Sequence, residues 1–411
     1  MNQSTGVGPL RTGSFFLLMA SVFTVSMGYG VVLPVLPFWL ERLSGSVSVP
    51  WHTGLLSGVY MLALFVFAPL WGRASDRLGR RPVILLGLGG LVLALALFGI
   101  SQSLWLGYLA RILGGVFAAA VLPVTLAYVA DTSDSERRAR RFAWMSAASL
   151  LGFLAGPALA GWLSGVAMAM PSGTMVRRGA IWLPFLAAGA IGAIVLLAGY
   201  FRLPEPVASP SPHPDEEAQR QNGTLKALFL LSLLVFFGLG SFEVGLALLG
   251  QRNLGLDPSR IGIMFMECSL VMLAAQTLVF SPLARDYGGR HLIVPAFLVM
   301  AVGLGLLPVA AAFGVLLFLV GLVSAGSGVL IPLLSYQVSL HGGASQGAAL
   351  GKQTAAASLG QALGSTAGGL LFAVTAPAPF WLTAGLLLVG ALIGLGIGRG
   401  AVAAPGPAKA G

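Results

Sequence analysis

Charge is what this chain has least of. Only 9% of its 411 residues are Asp, Glu, Lys or Arg, against 57% hydrophobic, and the mean hydropathy is +0.90. A soluble protein carries roughly 25% charged residues, so a water-facing globule is excluded and a bilayer is the solvent that fits. Cysteine is nearly absent too. The single Cys268 rules out an internal disulfide or a cysteine-based metal site; within an apolar segment it reads as a small buried hydrophobe. The four histidines, His52, His213, His291 and His341, show no ligand spacing. No cluster of His, Asp or Ser sits at one face, so an enzyme is not expected, and neither a metal nor a cofactor. The net charge of +10 does not imply nucleic acid, because no basic residues line a soluble face or alternate with aromatics.

What the chain does have is apolar length. A helix needs about twenty apolar residues to cross a bilayer. Twelve stretches qualify, at about 14–40, 52–71, 82–101, 104–130, 142–168, 179–201, 226–250, 259–280, 291–311, 313–338, 346–375 and 378–398. The first is longer than the apolar core of a signal peptide and reads as a span. The break near Ala311 carries no charge and is the least marked. These stretches predict an all-α integral membrane protein with twelve transmembrane helices, and the bilayer is its first partner.

Between the second and third spans lies Gly72-Arg73-Ala74-Ser75-Asp76-Arg77-Leu78-Gly79-Arg80-Arg81, with four arginines, one carboxylate and two glycines in ten residues. Positive charge retains a short loop on the cytoplasmic side. With the N-terminus inside, seventeen of the 23 Lys and Arg fall in inside segments and five outside, leaving only Arg111 within a helix. Both termini are therefore expected in the cytoplasm. The polar stretch from Arg202 to Asn222 is rich in Pro and charge and reads as a flexible cytoplasmic linker at the midpoint. The predicted organisation is a six-helix half at 1–201, a linker at 202–225, a second six-helix half at 226–399 and a tail at 400–411.

The halves echo one another. Gly152, Gly156, Pro157, Ala160 and Gly161 are followed 208 residues later by Gly360, Gly364, Ser365, Gly368 and Gly369. The basic hairpin recurs, weakened, as Asp286-Tyr287-Gly288-Gly289-Arg290 at an offset of 210. Glycines at this spacing let another helix approach closely, and Pro157 removes a backbone hydrogen bond and bends its helix. Gly72 and Gly79 permit tight turns or close helix contact.

Charges inside spans are the strongest functional pointers, because each costs at least about 2.5–3.5 kcal/mol at mid-bilayer. Away from helix ends there are three, Arg111, Glu243 and Glu267. Glu267 is flanked by Met264, Met266, Cys268 and Met272, so its charge is costly and it is poised to load and release a proton. The methionines also suit a pliable apolar binding surface. Glu243 has a second reading, as a solvated vestibule carboxylate or a helix–helix hydrogen bond. Arg111 is placed to pair with a carboxylate, hold substrate or promote proton transfer.

Six plus six helices, a central linker and these motifs resemble the major facilitator superfamily over nearly the whole chain. Gly72–Arg81 is similar to the superfamily's loop 2–3 motif. Leu109–Gly115 is similar to its helix 4 arginine motif, with Gly114 in place of the usual glutamine. Gly152, Gly156, Pro157 and Gly161 resemble the helix 5 motif of antiporters, and Gly28, Pro34 and Pro37 a helix 1 motif of twelve-helix drug:proton antiporters. The stretch Gly72–Gly161, including Ala130-Asp131 and Arg138-Ala139-Arg140, is similar to tetracycline/proton antiporters and multidrug exporters.

The resemblance implies two six-helix bundles related by a pseudo-two-fold axis, rocking about a central site. Helices 4, 7 and 8, which hold Arg111, Glu243 and Glu267, would line the cavity. Asp76, Arg77, Arg80 and Arg81, with Gly72, Gly79 and the helix 4 acid Asp131, would form a cytoplasmic latch. Asp76 would face a helix N-terminus across the bundle interface, such as the start of helix 11, where a carboxylate contributes about 0.3–1 kcal/mol. The rival reading of these arginines is that they only set topology and snorkel to headgroups.

One departure matters. Helix 1 offers only Ser21, Thr24, Ser26 and Tyr29 before Glu41, and helix 3 carries no acid. Coupling would then run through the C-terminal half, at Glu267 first and Glu243 second, with Arg111 as charge partner. The expected activity is proton-coupled efflux of a small lipophilic or amphipathic compound such as a drug, by alternating access, in a bacterial inner membrane. A monomer driven by the proton gradient is expected. The alternatives are a uniporter or symporter of a polar metabolite or sugar, for which Asn253, Gln276, Gln337, Gln353 and Gln361 are candidates, and a lipid flippase.

Overall fold

A computed structural model describes residues 12–44, 48–133, 135–169, 181–205, 223–280, 290–310, 312–342 and 346–400. The described chain is helical, with short connections and no strand among the described residues. We number the helices α1 (Thr12–Gly30), α2 (Leu36–Ser44), α3 (Val49–Leu78), α4 (Arg80–Ile100), α5 (Leu104–Asp131), α6 (Ser135–Ala169), α7 (Leu183–Arg202), α8 (Gly223–Leu248), α9 (Pro258–Ala274), α10 (Ile293–Leu306), α11 (Phe313–His341), α12 (Gln346–Val374) and α13 (Ala378–Gly400). Eleven helices among the described residues are long and apolar enough to cross a membrane, and a shorter apolar one covers Ile293–Val309.

Helix is the form that satisfies every backbone polar group without water. Hydroxyls within it are satisfied the same way: Thr125, Ser232, Ser269 and Ser324 each donate to the carbonyl four residues back. Local signals set the ends. Ser103 caps α5 by accepting from the Leu106 N–H at 3.3 Å, and Pro50 and Pro184 occupy the first turns of α3 and α7.

Two expectations change. The span predicted at 14–40 is two helices, separated by a buried turn at Val31–Val35. Pro34 has no N–H to donate and disfavours helical geometry at the residue before it, while Pro37 sits in the first turn of α2. The ninth expected span is short because the chain tightens to a 3₁₀ turn at Leu307–Val309, where Pro308 lies. Of the predicted linker, Arg202 ends α7, α8 starts at Gly223, and residues 206–222 lie outside those described, as do Asp286–Gly289 of the repeated hairpin.

The chain divides into two compact units, Met1–Pro212 with Leu246–Ser269, and His213–Gly245 with Leu270–Gly411. The first unit takes in the end of α8 and most of α9, which the sequence division at the linker assigns to the second half. In the first unit α4 packs on α5 and α7, α3 on α5, and α1 on α6. Its densest aromatic contact joins Trp39, Phe98 and Phe185, with ring centroids 4.8 and 5.0 Å apart. In the second unit α10 packs on α11 and α13. Large apolar side chains such as Leu93, Ile194 and Leu392 stay exposed, as expected of a surface that faces lipid.

The glycine repeat is real in three dimensions. A Cβ on Gly152 would overlap the Phe23 carbonyl, and one on Gly360 would overlap the Leu233 carbonyl, 210 residues further on. Gly156 stands in the same relation to Met27, with a hypothetical Cβ 2.6 Å from its carbonyl oxygen, and Gly364 to Phe237. Each unit therefore contains the same backbone-to-backbone helix crossing, α1 with α6 and α8 with α12.

Candidate functional site

Three of the predicted latch residues, Asp76, Arg80 and Asp131, meet at the basic end of the first unit. Arg80, in the first turn of α4, reaches back to α3 and across to α5. Its Nη1 lies 2.6 Å from Asp76 Oδ1 and donates to Ser75 Oγ, and its Nε donates to Asp131 Oδ2 at 3.0 Å. Asp131 is 11% exposed and Asp76 is 62% exposed. The two acids are not equivalent: the one on α5 is the protected anchor. Arg77 is exposed and joins none of these bonds.

Gly72 departs from expectation. α3 runs through the hairpin to Leu78, so Gly72 is inside a helix, with nothing within 4 Å of a hypothetical Cβ. The turn is Gly79 alone, whose φ of 97° favours glycine.

Glu205, in the stretch whose composition reads as linker, completes the cluster. Its two carboxylate oxygens accept from the backbone N–H groups of Arg80 at 2.6 Å and Arg81 at 3.1 Å. These are donors that the first turn of α4 leaves unpaired, and the helix dipole favours an anion there. A Cβ on Gly79 would lie 2.7 Å from Glu205 Oε1, so glycine also makes room for the carboxylate. Tyr128 donates to the Pro204 carbonyl at 2.6 Å, and Arg81 donates to the Tyr200 carbonyl at 2.6 Å while covering the Tyr200 ring. Nothing local in Leu203-Pro204-Glu205 signals this return, because its partners are more than seventy residues away.

Arg111 is 4% exposed. Its Nε donates to the Leu56 carbonyl at 3.1 Å, and its guanidinium lies 4.3 Å from the Tyr60 ring centre and 5.7 Å from that of Tyr29. Cation–π attraction and a backbone acceptor thus hold the charge in the helix interior. Gly114 belongs to the same arrangement: its hypothetical Cβ would sit 3.2 Å from the Tyr60 ring, space a larger residue would take.

Two carboxylates lie on spans of different units. Glu243 on α8 is 5% exposed and accepts from Gln361 Nε2, at 3.1 Å to Oε2 and 3.4 Å to Oε1. Gln361, 9% exposed, sits mid-way along α12 rather than near a helix end. Beside this pair Thr383 donates to Ser241 Oγ at 2.9 Å. Glu267 on α9 is part-buried, and its Oε2 is shielded from solvent with no hydrogen-bond partner among the described residues. Met264 and Cys268 on the same helix are buried.

The helix 5 motif lies on α6. Gly156 is pressed against Met27, Gly30 and Val31, and Pro157 touches the space a Cβ on Gly30 would need. Gly161 faces α9, its hypothetical Cβ 3.3 Å from Ser259 Cα and 3.5 Å from Gly262 Cα. Of the helix 1 motif, Gly28 packs under Leu91 and Leu95 of α4, and Pro34 and Pro37 make the break described above.

The model of the major facilitator superfamily matches residues 18–275 and 228–409. The chain belongs to that superfamily. Superfamily members are transporters rather than enzymes. Among its relatives are multidrug resistance protein 2 of Bacillus subtilis, 28% identical over 93% of this chain and 94% of that protein. The class C tetracycline resistance protein of Escherichia coli is 29% identical over 79% and 81%. The quinolone resistance protein NorA of Staphylococcus aureus is 26% identical over 92% and 95%. Two solved structures share the fold. A bacterial homologue of the lysosomal transporter Spinster, inward-facing and occupied, aligns with a TM-score of 0.79 at 16% identity over 95% and 98%. The human organic anion transporter MFSD10 aligns at 0.68 and 22% over 94% and 100%. A superfamily member with eleven long apolar helices among its described residues is a multi-pass membrane transporter of a small molecule.

Proposed function

We propose that this transporter exports a small lipophilic or amphipathic compound, such as a drug, in exchange for protons, by alternating access to a central site. The observation that carries the reading is Glu267: a carboxylate oxygen without a hydrogen-bond partner among the described residues, on a helix suited to span the bilayer. Holding a charge there is costly, so the group favours taking a proton from the acidic side and releasing it where access and pH allow. Glu243, held by Gln361, is the second proton site, and Arg111 supplies fixed positive charge. The multidrug, tetracycline and quinolone resistance proteins among its relatives support a drug-like cargo. The basic end, with both termini, faces the cytoplasm of a bacterial cell, and the halves at 1–201 and 226–399 act as two six-helix bundles in a monomer. The cluster of Asp76, Arg80, Arg81, Asp131 and Glu205 is the cytoplasmic latch, and the proton gradient alone supplies the energy.

The test uses purified protein in liposomes that enclose a pH-sensitive dye, with a gradient of a lipophilic cation, a tetracycline or a sugar imposed. Proton movement opposite to the cation or tetracycline, lost in Glu267→Gln, is the expected result. Transport without proton movement would sink the antiport reading and favour a facilitator, and coupling unchanged in Glu267→Gln would sink the Glu267 assignment and move the proton site to Glu243.

A further inference from the structure

At the end of the first unit opposite the latch, the chain between α8 and α9 meets the end of α2. α8 does not stop at Leu248 but loosens into a π-helical turn, Leu249–Asn253, an irregularity found mostly at functional positions. Gly255, with φ of 60°, then reverses the chain, and the Leu256 N–H returns to the Gly250 carbonyl at 2.8 Å. The π turn aims Gln251 at α2, where its Nε2 donates to Glu41 Oε2 at 2.8 Å. Beside this bond lies an open cleft of about 440 Å³, lined by Phe38, Leu256, Asp257 and Pro258 among others. The other amide atom, Gln251 Oε1, is shielded from solvent and has no hydrogen-bond partner among the described residues. The side chain has therefore given up water on one atom to make a single bond with the other, a contact that is costly to hold and easy to release. Sequence numbering shows its reach: the bond joins positions 210 residues apart.

We propose that the Glu41–Gln251 hydrogen bond is an outer clasp, which holds the α8–α9 turn on α2 while the transporter is closed to the outside and parts when it opens. The clasp rests on the alternating-access reading above. Glu41 serves as a positioning residue and takes no part in proton coupling. Closure at this end does not depend on the bond alone, since Gly161 and Gly262 bring α6 and α9 into backbone contact nearby. The clasp adds a bond that can break without disturbing a helix.

The experiment reads opening directly. In a Cys268→Ser background, Leu256→Cys places a reporter in the cleft, where Leu256 is buried, and a membrane-impermeant maleimide is applied from outside to the full-length protein in membranes. Glu41→Ala and Gln251→Ala are each expected to raise the labelling rate about two- to tenfold, the population shift expected from losing one exposed charge-assisted hydrogen bond. The double variant should label no faster than the faster single variant, because both remove one bond. Gln251→Asn, too short to reach Glu41, should behave like Gln251→Ala and guards against a folding artefact in either. Unchanged labelling in the single variants, or additive effects in the double, would overturn the clasp. Flux of a lipophilic cation or a tetracycline by the Leu256→Cys parent in the same membranes tests the cargo separately: absent flux with increased labelling would reject drug export and retain the clasp as an outer gate.

Discussion

Glu205 and Arg80 are bound twice over, once by backbone and once by consequence. The carboxylate takes the Arg80 N–H at 2.6 Å and so fixes the start of α4, and that start aims the Arg80 guanidinium between Asp76 and Asp131. A residue three positions past the end of α7 thus sets the geometry of a cluster carried by α3, α4 and α5.

Removing that cap should loosen the cluster. Glu205→Ala is expected to cost about 1 kcal/mol, the usual worth of a helix cap, and Glu205→Gln less, because the amide keeps one acceptor oxygen. Thermal unfolding of the detergent-solubilised protein measures both, and a Glu205→Ala protein as stable as the parent would show the cap to be idle.

Arg80 and Arg77 separate geometry from charge. Lysine preserves the positive charge but not the fork that reaches Ser75, Asp76 and Asp131 together. Arg80→Lys should lower transport by about tenfold, equivalent to roughly 1.4 kcal/mol, whereas Arg77→Lys should leave it near the parent value. Equal loss in the two variants would mean that topology is all these arginines provide.

The glycines divide in the same way. Gly156→Ala drives a methyl to within 2.6 Å of the Met27 carbonyl oxygen, and overpacking of this kind costs about 1–3 kcal/mol. Gly72→Ala meets open space inside α3 and should be neutral or stabilising by up to about 1 kcal/mol, as alanine is the better helix former. Melting temperatures that move together would contradict the packing.

Glu243 and Gln361 should act as one unit. Gln361→Leu removes an amide donor from a carboxylate that is 5% exposed and should lower proton-coupled transport by about as much as Glu243→Gln does. The double variant should be no worse than the worse single variant, because both remove one bond. If Gln361→Leu transports as well as the parent, the pair has no part in coupling.

Much of this was legible beforehand for physical reasons. Arg111, Glu243 and Glu267 stand out because charge is costly in a bilayer, and that cost does not depend on knowing the neighbours. The basic hairpin and the glycine repeat are also local signals, and the contacts of Gly152 with Phe23 and Gly360 with Leu233 match the duplication they suggested. Gln361 was harder to read. A glutamine in a small-residue stripe has no intrinsic cost large enough to announce a role, and only its distance to Glu243 supplies one.

The sequence alone determined the solvent, most of the spans and the family, because apolar length, loop charge and short motifs act within one or two helix turns. Tertiary structure decided which of those residues meet. The return of Glu205 to Gly79, the placing of Arg111 over Tyr60, and the bond from Gln251 to Glu41 join positions 51 to 210 residues apart. Lipid-facing and packed helix faces are equally apolar, so no pattern along the chain distinguishes the face that will find a partner from the face that will not.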